Sequence, residues 1–310
     1  MNGLLAVGQL VLLLALAPAL SGAIKTAKAR VQGRTGPPVG QAYADLFKLL
    51  RKDMVVSERS SWVFRWAPAV YAGAFATSAL LVPVLWLPAP LAGWGDAIAF
   101  IGLFALARFA LALAALDTGS AFGGMGASRD VAVAALAEPA LLLALFAVGS
   151  RAGGTDLSAM SAWVAGHGSA AIAPGQLLSA LALAIAILAE TGRVPVDNPD
   201  THLELTMIHE GMLLEYSGRH LGILSWATQL KQVTLFALFI ALFMPTGFVS
   251  GPEQLPLVLV AFVLKLGLLG LAVVFVESAN AKLRILRLPE LLGTAAVLAA
   301  LALVTEVALP

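Results

Sequence analysis

Eight stretches of about 20 predominantly apolar residues, the length a helix needs to cross the hydrocarbon core of a bilayer, constrain this chain more than any other feature. They cover residues 3–24, 66–87, 97–116, 130–149, 174–190, 224–245, 255–276 and 289–308. The pattern predicts an all-α polytopic membrane protein with about eight transmembrane helices. We expect a single membrane domain over residues 1–310.

The composition excludes a soluble protein and several kinds of site. Charged residues make up 12% of the chain, whereas a soluble domain contains about one quarter. A net charge of +1 argues against a nucleic-acid partner. The chain has no cysteine to hold an iron–sulfur cluster, and none of its four histidines lies in a predicted span. Since no nucleophile has an obvious base beside it, we expect neither a cofactor nor a catalytic centre in this chain.

The distribution of lysine and arginine predicts the orientation in the membrane. Fifteen of these residues lie in the odd-numbered connections, and Arg151 alone lies in the even-numbered ones. Positively charged loops stay in the cytoplasm, so the odd-numbered connections are predicted to be cytoplasmic and both termini to face outward. Residues 21–23 resemble a signal-peptide cleavage site, but no positive charge precedes the apolar run, which favours a retained first helix.

Two of the cytoplasmic connections are predicted to carry structure. Loop 25–65 contains segment 40–52, in which apolar and charged residues follow the period of an amphipathic helix. Such a helix lies either in the membrane interface or on the surface of an ordinary cytoplasmic loop. Connection 190–224 is acidic but has apolar residues throughout. We therefore expect it to fold back into a cavity or against a partner.

Charged residues in the predicted spans are the first candidate functional residues. They are Arg108, Glu138, Lys231 and Lys265 well inside spans, and Glu190, Glu277 and Glu290 at span ends. A charge inside a span costs about 2.5–3.5 kcal/mol even on insertion scales. Either ion pairs that fix helix packing or a path for protons explains each one alone, and the set together favours the path. Arg108 and Lys231 can snorkel or pair instead, so they are left out of the predicted path.

The acidic connection 190–224 supplies the second group of candidates. Its carboxylates are Glu190, Asp197, Asp200, Glu204, Glu210 and Glu215. Crowded carboxylates hold protons more tightly than isolated ones, which suits proton exchange near neutral pH. A solvated acidic loop is the alternative, and the interleaved apolar residues count against it.

Three short motifs do not predict a site. His209-Glu210 begins like a zinc-protease helix, but Leu213 stands where the second histidine is needed. His202 and His209 have no third histidine at ligand spacing, so no metal site is expected. Gly123-Gly124-Met125-Gly126 matches no phosphate-binding pattern and is interpreted as a tight cytoplasmic turn.

Three long segments, together with the eight-span layout, resemble one family. They are ARVQGRTGPPVGQAYADLFKLL (29–50), LDTGSAFGGMGASRD (116–130) and AETGRVPVDNPDTHLELTMIHEGMLLEYSG (189–218). They resemble the subunit 1 family of respiratory complex I. That family includes the quinone-site membrane subunit of NADH dehydrogenase and the membrane anchors of formate hydrogenlyase and other energy-converting NiFe hydrogenases. The stretch DNPDTHLELTMIHE resembles the hydrogenase-side branch, of the hydrogenase-4 type.

The resemblance implies roles for individual residues. Arg30, Gln32 and Arg34 match the first cytoplasmic loop, which in the family lies against the cluster-bearing subunits, and Arg193 joins them as a contact to a partner or a quinone-like cavity. Glu138 and the acidic connection match the family's proton-pathway region. With the charged residues above, the predicted proton-coupling set is Glu138, Glu190, Asp197, Glu204, Glu210, Glu215, Lys265 and Glu277.

The resemblance also implies partners and a function. The expected partners are a cluster-bearing small subunit, a hydrogenase-like large subunit and antiporter-like membrane subunits in a prokaryotic inner membrane. Iron–sulfur clusters and a NiFe centre would belong to these partners. The chain would anchor them and couple their electron transfer to proton or sodium translocation. Alternatives are the quinone-site subunit of complex I, an anchor without a proton path, and a stand-alone ion transporter.

Overall fold

The structure is a computed structural model that describes residues 2–58, 60–168, 173–197, 207–244, 248–249 and 251–308. The described residues form α-helices and short 3-10 helices, and no strands. The helices are α1 (Asn2–Val31), α2 (Gln41–Arg51), α3 (Trp62–Leu81), α4 (Ala97–Asp117), α5 (Ala121–Ala152), α6 (Leu157–His167), α7 (Pro174–Glu190), α8 (Gly218–Phe243), α9 (Leu255–Ala279) and α10 (Leu288–Ala308).

The predicted all-α membrane architecture is confirmed. Among the described residues, α1, α4, α5, α8, α9 and α10 are long and apolar enough to cross a membrane, and α7 is a shorter apolar helix. α3 occupies most of the span predicted at 66–87 and is long enough, but it is not apolar enough to be among these six. The chain is thus a multi-pass membrane protein, and the count of eight spans remains a prediction for α3 and α7.

Several boundaries differ from the prediction because a helix does not stop where its apolar residues stop. α5 begins at Ala121 rather than 130 and α8 at Gly218 rather than 224. α3 instead ends at Leu81 rather than 87, because Val82 precedes Pro83 and is extended. At 1.5 Å per residue α5 is about 48 Å long, longer than the roughly 30 Å hydrocarbon core. Its first turns carry Arg129 and Asp130.

The prediction of a turn at the glycine-rich segment 123–126 is wrong, because the segment lies inside α5. Its glycines are needed for close packing. A Cβ on Gly123 would lie 2.8 Å from the carbonyl oxygen of Ala115, and one on Gly126 would lie 2.9 Å from that of Ile208. Because Gly123 and Gly126 have no side chain, α4 and the chain after α7 can approach α5 closely.

α8 lies at the centre of the bundle and is the most buried of the six long apolar helices. α1, α2 and α3 pack against it, while α10 packs against α5 and α7. Alanines such as Ala140 on α5 and Ala299 on α10 are fully buried, and small residues of this kind allow helices to approach closely in a membrane. The bundle thereby brings the C-terminal ends of α1, α7 and α9 together beside the middle of α8.

Both predicted cytoplasmic features have the expected local structure. The amphipathic helix is present as α2, with Leu46 buried and Phe47 60% exposed. The described parts of the acidic connection, residues 191–197 and 207–217, fold back onto the bundle and bury Val196, Ile208 and Met212. Asp200, His202 and Glu204 lie outside the described residues.

Candidate functional site

A single guanidinium joins three carboxylates between α4, α5 and α7. Arg108 Nη2 lies 2.7 Å from Oε1 and 2.8 Å from Oε2 of Glu190. Its Nε lies 3.3 Å from Asp130 Oδ2, and its Nη1 donates to Glu138 Oε1. The Arg108 side chain is only 11% exposed. Arg108 therefore fixes the relative position of three helices through buried charges.

Lys231 on α8 adds a second cation to this group. Its Nζ lies 2.9 Å from Glu190 Oε2, and it lies over the rings of Phe75 and Phe104, 5.6 and 5.7 Å from their centroids. Aromatic faces stabilise a cation that has lost part of its hydration. Glu190 is thus held by two cations in a position where its side chain is 1% exposed. We call Arg108, Asp130, Glu138, Glu190 and Lys231 the Arg108 cluster.

A second group of charged residues lies next to the Arg108 cluster and includes Gln232, the residue that follows Lys231 on α8. Lys28 Nζ lies 3.0 Å from Glu277 Oε2, and Arg193 Nη1 lies 3.4 Å from Glu277 Oε1. Arg193 Nη2 also donates to Gln232 Oε1 at 2.7 Å. We call Lys28, Arg193, Gln232 and Glu277 the Glu277 cluster. It ties α1, α8 and α9 to the chain that follows α7.

The backbone after α7 explains how one short segment reaches both clusters. Glu190 ends α7, and Gly192 then has a φ of +59°, a conformation that glycine adopts without strain. The turn directs Arg193 away from Glu190 and towards Glu277. Further on, Asp197 accepts from Lys282 Nζ at 2.6 Å and from the Ile208 amide at 3.3 Å.

A small polar cavity of about 30 Å³ opens beside the Arg108 cluster, with room for at least one water molecule. Its polar lining includes Tyr71, Asp130, Glu190, Asp197, His209, Thr228 and Lys231. His209 Nε2 lies 3.5 Å from both Tyr71 Oη and Thr228 Oγ1, and Nδ1 lies 4.0 Å from Asp130 Oδ1. Burial lowers the pKa of His209, and the Asp130 carboxylate opposes that shift.

The structure brings together four of the twelve site residues predicted from the sequence. Glu138 and Glu190 meet in the Arg108 cluster, and Arg193 and Glu277 meet in the Glu277 cluster. The other described candidates lie outside both clusters: Asp197 pairs with Lys282, Glu210 lies half-buried in a 3-10 helix, Glu215 is exposed, Lys265 donates to the Met244 carbonyl, and Arg30, Gln32 and Arg34 are exposed. Glu204 lies outside the described residues.

Sequence reasoning missed several members of the site. Arg108 and Lys231 were left out of the predicted path, yet the structure places both at its centre. The usable signal was that α4 has no acidic residue within reach of Arg108, so its partners had to come from other helices. Asp130, Lys28 and Lys282 also received no role. His209 was considered only as a metal ligand, and the described residues contain no group of three metal-binding side chains.

One further ion pair lies elsewhere in the bundle. Arg151, near the end of α5, donates to Glu306 on α10 and lies 5.9 Å from the centroid of the Trp163 ring. The Glu306 side chain is 1% exposed and packs against Gly175, in the first turn of α7. This pair lies 13 residues beyond Glu138 on α5, about 20 Å along the helix axis.

Comparison with known proteins identifies the family. The family model described as NADH dehydrogenase matches residues 4–308. Formate hydrogenlyase subunit 4 of Escherichia coli (strain K12) is 38% identical over 281 residues, covering 89% of this chain and 90% of that protein. Hydrogenase-4 component C of the same organism is 36% identical over 277 residues, covering 89% and 85%. An NADH-quinone oxidoreductase subunit of Syntrophotalea carbinolica is 30% identical over 237 residues, covering 69% and 68%.

A solved structure has the same fold. A chain in the structure of the membrane-bound sulfane sulfur reductase, an archaeal respiratory membrane complex, matches with a TM-score of 0.86 and covers 98% of this chain and 99% of its own length. Its sequence identity is 20%, so the likeness concerns the fold. Because the family model spans nearly the whole sequence and the hydrogenase proteins are the more similar of these relatives, this chain belongs to the NADH dehydrogenase family and is of the complex I subunit 1 type.

Proposed function

We propose that this chain is the membrane anchor and coupling subunit of a multisubunit oxidoreductase, an energy-converting NiFe hydrogenase or formate hydrogenlyase-like complex. The relatives at 38% and 36% identity are named as components of formate hydrogenlyase and hydrogenase-4. The chain links electron transfer in the peripheral partners to translocation of protons or sodium ions. It holds no redox centre in this proposal, and the iron–sulfur clusters and the NiFe centre belong to the partners.

The observation that carries the proposal is that one segment contacts both buried clusters. Residues 190–197 contribute Glu190 to the Arg108 cluster and Arg193 to the Glu277 cluster, and Asp197 binds the backbone of residue 208. A displacement of this segment changes the surroundings of buried carboxylates in both. The three carboxylates of the Arg108 cluster share Arg108, so a proton gained by one alters the proton affinity of the others.

The mechanism follows from that connection. Electron transfer in the peripheral arm shifts residues 190–197 and 207–217, and the shift changes how strongly Glu190 and its neighbours hold protons. In thermodynamic terms this is a coupling free energy between a distant redox site and a buried proton site. Ions then leave the Arg108 cluster towards the antiporter-like subunits. Lys265, about 18 Å along α9 from Glu277, is a candidate for a later step.

The arrangement in the membrane is part of the proposal. The exposed Arg30, Gln32 and Arg34 contact the cluster-bearing small subunit and the hydrogenase-like large subunit in the cytoplasm. Both termini face outward across the prokaryotic inner membrane. Antiporter-like subunits lie beside this chain in the bilayer.

Ion translocation by membrane vesicles tests the proposal. Glu138→Gln and Glu190→Gln remove single carboxylate charges from the Arg108 cluster, and Glu253→Gln, at an exposed position, is the matched control. We expect both cluster variants to lose most of the ion uptake per electron transferred and the control to keep it. Uptake that persists in both cluster variants, with the complex assembled, would leave an anchor without a proton path.

A second candidate function is the quinone-site subunit of a respiratory NADH dehydrogenase. The NADH-quinone oxidoreductase relative is 30% identical to this chain, which favours keeping this candidate. Against it, Gly192 and Val196 stand where the respiratory pattern has asparagine and phenylalanine. Gentle detergent purification with mass spectrometry separates the two. Nickel and a hydrogenase-like large subunit support the proposal, whereas turnover that depends on quinone and is blocked by quinone-site inhibitors supports the alternative.

A further inference from the structure

The partly buried imidazole of His209 lines the cavity, and the coupling scheme above does not use it. It lies in the described segment 207–217, before the 3-10 helix Glu210–Leu213, and its side chain is 21% exposed. Both ring nitrogens face polar groups. On one side are the hydroxyls of Tyr71 and Thr228, each 3.5 Å from Nε2, and on the other is Asp130, 4.0 Å from Nδ1.

The backbone around His209 is held on several sides, so the position of the ring is defined. Arg129 Nη1 donates to the Met207 carbonyl at 3.0 Å, and the Ile208 amide donates to Asp197 at 3.3 Å. Residues 208–212 press against Gly126 of α5, where a Cβ would lie within 3.1 Å of three backbone atoms. Downstream, the Tyr216 ring stacks on Phe64 at 4.0 Å. A movement of this segment therefore moves the imidazole relative to Asp130.

We propose that His209 is a proton relay between the hydroxyls of Tyr71 and Thr228 and the Arg108 cluster. In the neutral ring one nitrogen carries a proton and the other is free. When Nε2 is the free nitrogen, an excess proton on water in the adjoining cavity passes through the Tyr71 or Thr228 hydroxyl to Nε2: the hydroxyl gives up its own proton and takes the new one, and the ring becomes an imidazolium. The ring then releases a proton from the other nitrogen to Asp130, so one proton enters and one leaves. Reorientation of the ring restores the starting form.

The geometry suits a relay that opens and closes. At 4.0 Å, Nδ1 and Asp130 Oδ1 are too far apart for a direct hydrogen bond. The cavity beside them has room for a bridging water molecule, and a small shift of residues 207–217 would close the gap directly. Asp130 in turn lies 3.3 Å from Arg108, so a proton delivered there is felt by Glu138 and Glu190.

A titratable hydroxyl and charged groups of both signs face His209 from the elements around it. They are Tyr71 on α3, Arg108 on α4, Asp130 on α5, Asp197 after α7 and Lys231 on α8. Burial and the two cations favour the neutral ring, whereas the two carboxylates favour the imidazolium. The balance suits a group that holds a proton only in passing, and it depends on where the segment sits.

This inference rests on the proposed coupling function, and its test separates the two. The complex is studied in membrane vesicles, with hydrogen evolution from reduced methyl viologen as the electron-transfer reaction and a pH-sensitive dye for proton uptake. His209→Gln keeps a polar side chain that cannot be protonated. His220→Gln, in the first turn of α8 and away from the cavity, is the matched control. Thr228→Val removes one flanking hydroxyl while keeping the imidazole.

The relay predicts at least a tenfold fall in protons moved per hydrogen evolved in His209→Gln, and a pH profile that loses its imidazole limb. His220→Gln keeps both. In His209→Ala, added imidazole restores part of the uptake, which a purely structural role would not allow. If His209→Gln fails to assemble, two other results test the relay. They are a smaller loss of proton uptake in Thr228→Val and the restoration of uptake by imidazole in His209→Ala.

Three outcomes overturn the relay and leave the coupling function standing. These are an unchanged ratio and pH profile in His209→Gln, no rescue by imidazole in an assembled His209→Ala complex, and wild-type vesicles that move sodium ions without proton uptake. Wild-type vesicles that evolve hydrogen but move no ion contradict the coupling function itself.

Discussion

The two charged regions of α5 differ in how their charges are shared. In the central part of α5, Asp130 and Glu138 share Arg108 with Glu190, beside a polar cavity. Near the end of α5, Arg151 binds Glu306. Arg151 lies over the Trp163 ring, and Glu306 packs against the start of α7. A shared cation lets a change at one carboxylate reach the others, whereas a single pair fixes two helices. We therefore expect changes in the first region to affect coupling and those in the second to affect stability alone.

The largest expected effect comes from Arg108→Met. Removing the guanidinium leaves three carboxylates close together in a poorly hydrated site, and breaking a buried ion pair in this way costs about 3–5 kcal/mol. We expect little assembled protein and no coupled ion uptake, measured by thermal inactivation in detergent and by vesicle uptake. Arg108→Lys keeps the positive charge but loses the forked geometry of the guanidinium. We therefore expect its stability and ion uptake to lie between those of the wild type and those of Arg108→Met. An Arg108→Met complex that remains stable and coupled would contradict the shared-cation interpretation.

The Arg151–Glu306 pair provides the opposite case. Arg151→Leu should cost about 2 kcal/mol, less than a fully buried pair because the Arg151 side chain is 24% exposed. The double variant Arg151→Leu with Glu306→Leu should recover part of that loss, because no buried charge is left without a partner. Ion uptake per electron should stay at the wild-type level in both. A loss of coupling there would remove the distinction between the regions.

Two neighbouring glycines of α5 test whether the docked segment 207–217 is needed by the first region. Alanine at Gly126 would lie 2.9 Å from the Ile208 carbonyl oxygen, so Gly126→Ala should cost about 1–2 kcal/mol and weaken coupling. Gly124→Ala is the control, because its Cβ would meet the Leu116 side chain at an ordinary 3.7 Å. Faster proteolysis of the segment in Gly126→Ala alone is expected. Equal protection in both variants would count against tight docking.

The smallest expected effect is a pH dependence of stability that belongs to His209. Burial lowers the pKa of His209 in the folded protein, so the unfolded chain binds a proton that the folded chain resists. Stability is then lost as the pH falls through the value of a free imidazole, about 6.5, with a slope of at most about 1.4 kcal/mol per pH unit. His209→Gln should lose less stability on acidification than the wild type. Parallel melting curves between pH 5 and 8 check this difference, and identical slopes would exclude it.

Much of the fold could be predicted because apolar length acts locally. All eight apolar stretches lie wholly or partly in helices, and segment 40–52 contains the amphipathic helix α2. The errors lie where a helix continues beyond its apolar residues, as at the start of α5. Gly123 and Gly126 led to a wrong prediction because glycine marks both a turn and a close helix contact, and only the neighbouring chain distinguishes the two.

The site was predictable only in part, because its contacts join distant parts of the sequence. Glu138, Glu190, Arg193 and Glu277 were found from their cost in a membrane or from family resemblance. The choice of partner was not: Arg108 binds Asp130 and Glu138 from the next helix and Glu190, which is 82 residues away. The lack of an acidic residue near Arg108 on α4 indicates partners on other helices, but nothing local identifies which carboxylates they are.

The two neighbouring clusters are unequal in formal charge, and this has an electrical consequence. Among the described residues, the Arg108 cluster has three carboxylates and two cations, whereas the Glu277 cluster has one carboxylate and two cations. With all groups ionised they carry −1 and +1, on either side of the adjacent residues Lys231 and Gln232. The site is therefore a built-in dipole in a medium of low polarisability. A mobile positive ion is drawn to the Arg108 cluster and repelled from the Glu277 cluster.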